Sequence, residues 1–129
     1  MDHFNRPRGA GRMEAPDATG QAGRRGAGPA IRICLRIVGG RVEHAMFEAA
    51  GCGFTIAAGS AATELAAGKT LAECRAIDAG QVSQALGGLP SPKRFSAVLA
   101  AEAIQNALDQ YESSQRESRG AVRLEESSA

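Results

Sequence analysis

A single cysteine flanked by two glycines, Gly51-Cys52-Gly53, is the part of this chain whose residue types and spacing could do chemistry. It stands where an alternating, strand-like pattern ends and a small-residue, helix-like pattern begins. Because glycine has no Cβ, the backbone can turn sharply here, and a ligand or partner can come close. The unpaired amides that open the following helix carry a partial positive charge, which favours a thiolate. The motif therefore predicts an exposed, reactive thiol, although small residues that merely fill a turn explain it better when it is taken alone.

The other cysteines and the histidines are weaker candidates for chemistry. Cys34 falls on the polar face of a predicted strand, where we expect an accessible but incidental thiol, and Cys74 lies on a later helix, where we expect packing. His44 is the nearest histidine that could act as a base for Cys52, but the strand pattern turns it away from the Cys52 turn. His3 is expected to be a cap or surface residue. A thiol enzyme is therefore the weakest of the functions considered.

The composition bounds the class of protein. A chain of 129 residues has room for one domain; with 43% hydrophobic but only 4% aromatic residues and no tryptophan, its core must consist of Ala, Ile, Leu and Val. Lys and Arg number 15 against 14 Asp and Glu, a balance that argues for neither nucleic acid nor a membrane surface as a partner. No apolar run approaches the roughly 20 residues of a membrane span. Three cysteines without CxxC spacing, and no apolar segment in residues 1–8, predict free thiols, no signal peptide and the cytoplasm.

Alternating hydrophobic residues predict a half-buried strand from Ala30, with one apolar side facing inward: Ile31, Ile33, Leu35 and Ile37. Gly39-Gly40 predicts a hairpin turn. Residues 41–49 then return antiparallel, and the residues that compete for the inner face are Val42, Ala45 or Met46, and Phe47. A loop or edge strand is expected near residues 18–22, within an N-terminal segment of residues 1–29 that could open with a helical turn.

Helical patterns fill the second half of the chain. Residues 54–67 predict an Ala-rich helix that Gly68 ends, and Thr70 with Glu73 forms a capping box for the next short helix. Asp78 caps a third helix, which Gly87-Gly88 stops. The last helix is expected over residues 96–111. We therefore expect an α+β core over residues 30–111, a small three-stranded antiparallel sheet with helices packed on one face, and a polar, disordered tail over residues 112–129.

Several motifs, in order, resemble the iron–sulfur cluster assembly scaffolds of the IscU type, a family that includes the N-terminal domain of NifU. Residues 1–8, MDHFNRPR, are similar to the family's opening DHF-x-NPRN segment. Residues 47–70 are similar to its FxxxGCGxxIAxxSxxTE…GKT run, and residues 100–104 to a later helix. A loop similar to its LPPxK motif is extended and exposed because of its prolines: Leu89, Pro90, Ser91, Pro92 and Lys93. The resemblance covers residues 1 to about 112 and implies the family's fold.

The resemblance also implies a cluster-ligand set, and this chain departs from it. The family's CGD motif corresponds here to Ala27-Gly28-Pro29, and its His-Cys pair to Phe95-Ser96, so only Cys52 remains. A [2Fe–2S] cluster takes four protein ligands, mostly thiolates, and a structural zinc ion also takes four donors. One cysteine can hold neither within a monomer.

Two functions follow from the resemblance, and neither is an enzyme. In the first, a scaffold-family protein uses Cys52, between Gly51 and Gly53, as a sulfur acceptor or as the sole remaining ligand of a transient [2Fe–2S] cluster or iron in a shared site. In the second, a ligand-stripped paralogue binds a cysteine desulfurase, an Hsp70-type chaperone system or a true scaffold through surfaces that include the loop of residues 89–93. Both functions leave open whether the protein forms a homo-oligomer.

Overall fold

The computed structural model describes residues 9–24, 26, 28–89 and 93–128, with side chains as far as residue 116. Within these residues, one sheet has three antiparallel strands: β1 (Ala18–Gly23), β2 (Ala30–Val38) and β3 (Arg41–Ala50). Their order in the sheet is β1-β2-β3. Four helices follow: α1 (Gly53–Ala66), α2 (Leu71–Arg75), α3 (Ala79–Ala85) and α4 (Arg94–Ser128). The α+β class, the edge strand and the three-stranded sheet are confirmed. The helical turn suggested for the N-terminal segment is absent from residues 9–17, and residues 1–8 lie outside the described residues.

The hairpin between β2 and β3 contains one extra residue. Gly39 and Gly40 form the turn with φ values of 60° and 74°, which the twist of a tight hairpin requires. Ile37 pairs with Val42 but Arg36 pairs with His44, so Glu43 is left over as a β-bulge. Because the bulge shifts the alternation by one residue, Val42 and Ala45 both face the core although they are three apart. Of the two residues that competed for this position, Ala45 is buried and Met46 is half-buried.

Small residues bring two helices very close to the sheet. A Cβ added at Gly20 would lie 2.2 Å from the carbonyl oxygen of Ala103 and from the backbone nitrogen of Ala107, so α4 lies directly on β1. A Cβ added at Gly59 would lie 2.4 Å from the ring of Phe47, so α1 lies on β3. The predicted inner face of β2 is buried beneath them, together with the alanines of α1. The expectation of an aliphatic, alanine-rich core is confirmed.

Cys34 is buried, with 4% of its surface exposed, so the expectation of an accessible thiol is wrong. The alternation placed it on the outer face of β2 correctly, but the chain before β1 crosses that face. Arg36 donates hydrogen bonds to the carbonyl oxygens of Glu14 (2.6 Å) and Ala15 (2.7 Å), which fixes the crossing. The Thr19 hydroxyl lies 3.7 Å from the Cys34 sulfur. Cys34 is therefore part of the core.

The predicted helix signals hold with one difference. Thr70 and Glu73 form the capping box of α2, and the Asp78 side chain accepts from the Gln81 amide at the start of α3. Gly68 has a positive φ of 81° just after α1 ends. Its N–H donates to the carbonyl oxygen of Val42 (2.7 Å) instead of to the helix, which ties the end of α1 to β3.

Two expectations about the C-terminal third are corrected. Leu89 is buried, with 9% exposed, because Gly87 and Gly88 turn the chain with φ values of 78° and 95° and direct this leucine into the core. Pro90, Ser91 and Pro92 lie outside the described residues.

Helix α4 begins at Arg94 and continues to Ser128, past residue 112, where disorder was expected. Residues 112–128 contain no proline, and most of them have propensities that allow a helix. Within the described chain, no helix combines the length and the apolar character needed to cross a membrane.

The close approach of α4 to β1 predicts that Gly20→Ala is strongly destabilising. The new methyl group would meet backbone atoms of α4, which cannot move aside independently, so we expect a loss of about 1–3 kcal/mol in the free energy of unfolding, as for an overpacked core. Urea unfolding measures it, with Gln21→Ala as the matched control, since Gln21 is exposed on the same strand. Equal stability of the two variants would contradict the described packing.

Candidate functional site

The thiol of Cys52 stands at the turn between the end of β3 and the start of α1. Gly51 enters this turn with a φ of 146°, and a Cβ there would lie 2.7 Å from the Thr55 hydroxyl oxygen and 3.2 Å from Pro29 Cβ. Cys52 is the N-cap residue of α1: its carbonyl oxygen accepts from the amides of Thr55 (3.0 Å) and Ile56 (3.2 Å). The thiol is exposed. The predicted exposed cysteine at a strand-to-helix turn is confirmed.

Groups that favour a negative charge surround this thiol. The pKa of Cys52 is lowered, chiefly by the backbone amide of Thr55; burial opposes this as the second-largest effect, and the amide of Phe54, the Thr55 hydroxyl and the positive charge of Lys93 make smaller lowering contributions. The Thr55 amide acts through its dipole, since its hydrogen bond goes to the Cys52 carbonyl oxygen. The Thr55 hydroxyl oxygen lies 3.8 Å and the Lys93 ammonium 3.9 Å from the Cys52 sulfur. The arrangement is suited to a thiolate nucleophile.

Ser96 reaches the site through Thr55. Both side chains are fully buried, and their hydroxyl oxygens are 3.5 Å apart. The first turns of α1 and α4 thus meet behind the Cys52 thiol. Neither hydroxyl is an adequate thiolate replacement, because an alcohol keeps its proton near neutral pH far more readily than a thiol.

The structure brings some positions of the implied ligand set together. Pro29 touches the Gly51 turn, and Ser96 stands behind Thr55. Phe95, beside Ser96 at the start of α4, is 42% exposed and has no donor atom. Ala27 lies outside the described residues. Pro29 and Ser96 thus lie near the Cys52 turn, but neither supplies the thiolate or carboxylate of a cluster site.

The other candidate residues do not complete a metal site. Cys74 is fully buried, its thiol faces the carbonyl oxygen of Ala66 (3.7 Å), and burial raises its pKa. Cys34 is buried in the sheet. His44 pairs with Arg36 near the hairpin, at the opposite end of β3 from Cys52, and His3 lies outside the described residues. The described part of the chain contains no group of three or more His, Cys, Asp or Glu residues that could hold a metal ion.

Sequence reasoning missed two neighbours of the thiol. Lys93 was assigned to a partner-binding loop, yet its ammonium lies against Cys52 and over the ring of Phe54, 5.8 Å from the ring centre. Thr55 received no role, although it stands three residues after an N-cap, where a side chain can turn back towards the cap. The Thr55 spacing was a usable signal. Lys93 is 41 residues from Cys52, and only the packing of α4 beside α1 joins them.

The fold and this site define a small α+β domain with one glycine-flanked thiol at the start of a helix. The chain belongs to the NifU-like N-terminal domain family, whose model matches residues 1–118. The nitrogen fixation protein NifU of Cereibacter sphaeroides is 48% identical over 112 residues, which cover 87% of this chain and 46% of that protein. The chain therefore spans about half the length of this relative.

Shorter relatives and solved structures agree with the family. The iron-sulfur cluster assembly scaffold protein IscU 1 of Archaeoglobus fulgidus is 39% identical over 86% of this chain and 72% of its own length. A crystal structure of a NifU-like N-terminal protein from Brucella abortus has a TM-score of 0.68 and 18% identity, covering 87% of this chain and 90% of that one. A putative scaffold protein for the SUF system from Fervidobacterium islandicum has a TM-score of 0.63 and 15% identity, covering 84% and 92%. The last two similarities concern the fold.

The lowered pKa of Cys52 predicts alkylation by iodoacetamide at a lower pH than that of an ordinary thiol. The thiolate is the reactive form, so the rate should rise through the lowered pKa and reach half its plateau at a lower pH than for a cysteine in a short model peptide. Thr55→Val removes one of the groups that favour the thiolate and should move the midpoint upward, while the larger effect of the backbone amide remains.

Mass spectrometry of the native protein checks this prediction, with Cys52→Ser as the background. Cys34 and Cys74 are buried and serve as internal controls that should stay unlabelled. A midpoint at or above the free-cysteine value would show that the helix start and Lys93 do not act on Cys52.

Proposed function

We propose that this chain acts in iron–sulfur cluster assembly as a scaffold-family protein in which Cys52 accepts sulfur from a cysteine desulfurase. The observation that carries the proposal is the exposed Cys52 thiol, with the start of α1 and Lys93 favouring its anion. Membership of the NifU-like family, and relatives named as iron-sulfur cluster assembly scaffolds, support the same pathway. Free buried thiols elsewhere in the chain fit a reducing, cytoplasmic location.

The proposed step is a thiol–persulfide exchange. The Cys52 thiolate attacks the outer sulfur of a persulfide on the desulfurase, so a sulfur–sulfur bond forms at Cys52 while the bond in the donor breaks. The donor cysteine leaves as a thiolate, and the transferred sulfur first keeps the proton of the persulfide, then loses it to solvent to leave an anionic persulfide on Cys52. No net oxidation occurs, so no further reactant is needed.

A cluster held by one chain does not fit the residues around Cys52. The described side chains near the thiol are two hydroxyls, an ammonium and a phenyl ring, and none of these is a normal iron or zinc ligand. A [2Fe–2S] cluster or iron, as cargo, would require other thiolates from another chain, with Cys52 contributing one ligand. Sulfur acceptance needs only the thiol that is present, so it is the better-supported role.

The proposed partners are a cysteine desulfurase, as sulfur donor, and an Hsp70-type chaperone system. Of the loop implied for partner binding, Leu89 is buried and so is not available to a partner. Lys93 is half-buried against Cys52 and Phe54. Contact through this loop would therefore depend on Pro90, Ser91 and Pro92, which lie outside the described residues.

Sulfur transfer gives a direct test. Incubation with a cysteine desulfurase and cysteine should produce one persulfide per chain on Cys52, detected as a mass increase of one sulfur that a reductant removes. Cys52→Ser should abolish it, whereas Cys74→Ser should retain it because Cys74 is fully buried. If the wild-type protein binds the desulfurase but gains no sulfur, this role is wrong. The second function, a ligand-stripped paralogue that only binds partners, is then favoured.

The replaced ligand positions give a second test. The wild-type chain, reconstituted anaerobically with iron and sulfide and then desalted, should retain less than stoichiometric iron, since one thiolate cannot hold a cluster. A variant that restores the implied set should retain a coloured cluster: Ala27→Cys, Pro29→Asp, Phe95→His and Ser96→Cys. Iron and sulfide counts measure the difference, with the same variant carrying Cys52→Ser as control. Stoichiometric iron on the wild type would instead establish a shared or rewired site.

A further inference from the structure

Lys93 is positioned at the Cys52 site in a way that partner binding does not explain. Its ammonium is 3.9 Å from the Cys52 sulfur, and it lies over the face of Phe54, 5.8 Å from the ring centre. Phe54 is in the first turn of α1, two residues after the thiol. Since aromatic faces attract cations, Phe54 holds the ammonium on the side of the turn where the thiol is exposed.

No acid in the described part of the chain neutralises the charge of Lys93. Among the described residues, no carboxylate lies within ion-pair distance of Lys93, although four such contacts involve arginines. The Asp implied for this site by the resemblance is replaced by Pro29, which packs against Gly51. The amides at the start of α1 add partial positive charge on the same side. A negatively charged group that approaches Cys52 therefore meets only favourable charges from these neighbours.

We propose that Lys93 contacts the anionic sulfur group delivered to Cys52 and makes the site select anions over divalent cations. The inference rests on the proposed function and adds a residue to it. A persulfide extends about 2 Å beyond the cysteine sulfur, so a sulfur placed on the Lys93 side of Cys52 comes within contact distance of the ammonium. The same charge opposes iron or zinc at this sulfur.

The preference for anions can be measured without any sulfur donor, by comparing alkylation with iodoacetate and with iodoacetamide at one pH. Both reagents consume the same thiolate, so the ratio of their rates cancels the thiolate population and reports the charge met by the incoming anion. Lys93→Gln should lower the iodoacetate-to-iodoacetamide ratio about two- to fivefold, as expected for one charge at a partly exposed site. Lys93→Arg should keep the ratio near that of the wild type, and added salt should reduce the difference.

Arg94→Gln is the matched control, since it removes the same charge from the next residue. Arg94 is exposed and lines a groove between α3 and α4 with Ser83 and Gly87, away from the thiol. Its ratio should equal that of the wild type. If Lys93→Gln and Arg94→Gln behave alike, Lys93 does not contact the incoming anion and the inference is wrong.

A parallel measurement separates this inference from the proposed function. The initial rate of desulfurase-dependent persulfide formation should fall two- to fivefold in Lys93→Gln, with Lys93→Arg restoring it and Arg94→Gln unchanged. If Lys93→Gln accepts sulfur at the same rate as the wild type, the role of Lys93 is wrong, whereas sulfur acceptance by Cys52 stands. If the wild type accepts no sulfur but the alkylation ratio still depends on Lys93, sulfur acceptance is wrong. The site is then an anion-selective thiol without that role.

Discussion

The close backbone packing of α1 and α4 on the sheet is the constraint on which this site depends. Gly20 and Gly59 remove the side chains that would hold the helices away from β1 and β3. With the helices in place, the N-terminal turn of α4 lies beside the N-terminal turn of α1. The Cys52 thiol at one turn and Lys93 and Ser96 at the other can then meet, although 41 residues or more separate them in the chain. The chemistry of the thiol is therefore a product of helix packing.

The turn at Gly51 converts this packing into an exposed thiol. A positive φ of 146°, with Thr55 and Pro29 filling the space of a Cβ, leaves glycine as the only residue without strain. The turn places Cys52 at the N-cap, where the free amides of α1 favour a negative charge. Cys74, inside a helix of the same protein, is buried and has a raised pKa. Position in the fold, not residue type, separates the reactive thiol from the inert ones.

The sequence predicted those features that depend on local pattern. The alternation of β2, the capping box at Thr70 and the thiol at the Cys52 turn each depend on residues within a few positions, and the structure agrees. The bulge at Glu43 was beyond such reasoning, because it changes which face a residue occupies without changing composition. The burial of Cys34 depends on a segment about 20 residues earlier in the chain. Lys93 at the thiol required the relative placement of two helices, which no local pattern contains.

The replaced ligand positions give the family's fold a different electrostatic character at the same place. Donors that bind a cation are exchanged for Pro29, Phe95 and Ser96, of which none carries a charge. With proline in place of the implied aspartate, the positive charge of Lys93 adds to the stronger effect of the Thr55 amide in lowering the pKa of Cys52. In the proposed mechanism, this turn therefore favours an incoming anion over a divalent cation. The proposed sulfur acceptance needs only groups that favour a thiolate, and the start of α1 and Lys93 supply them at Cys52.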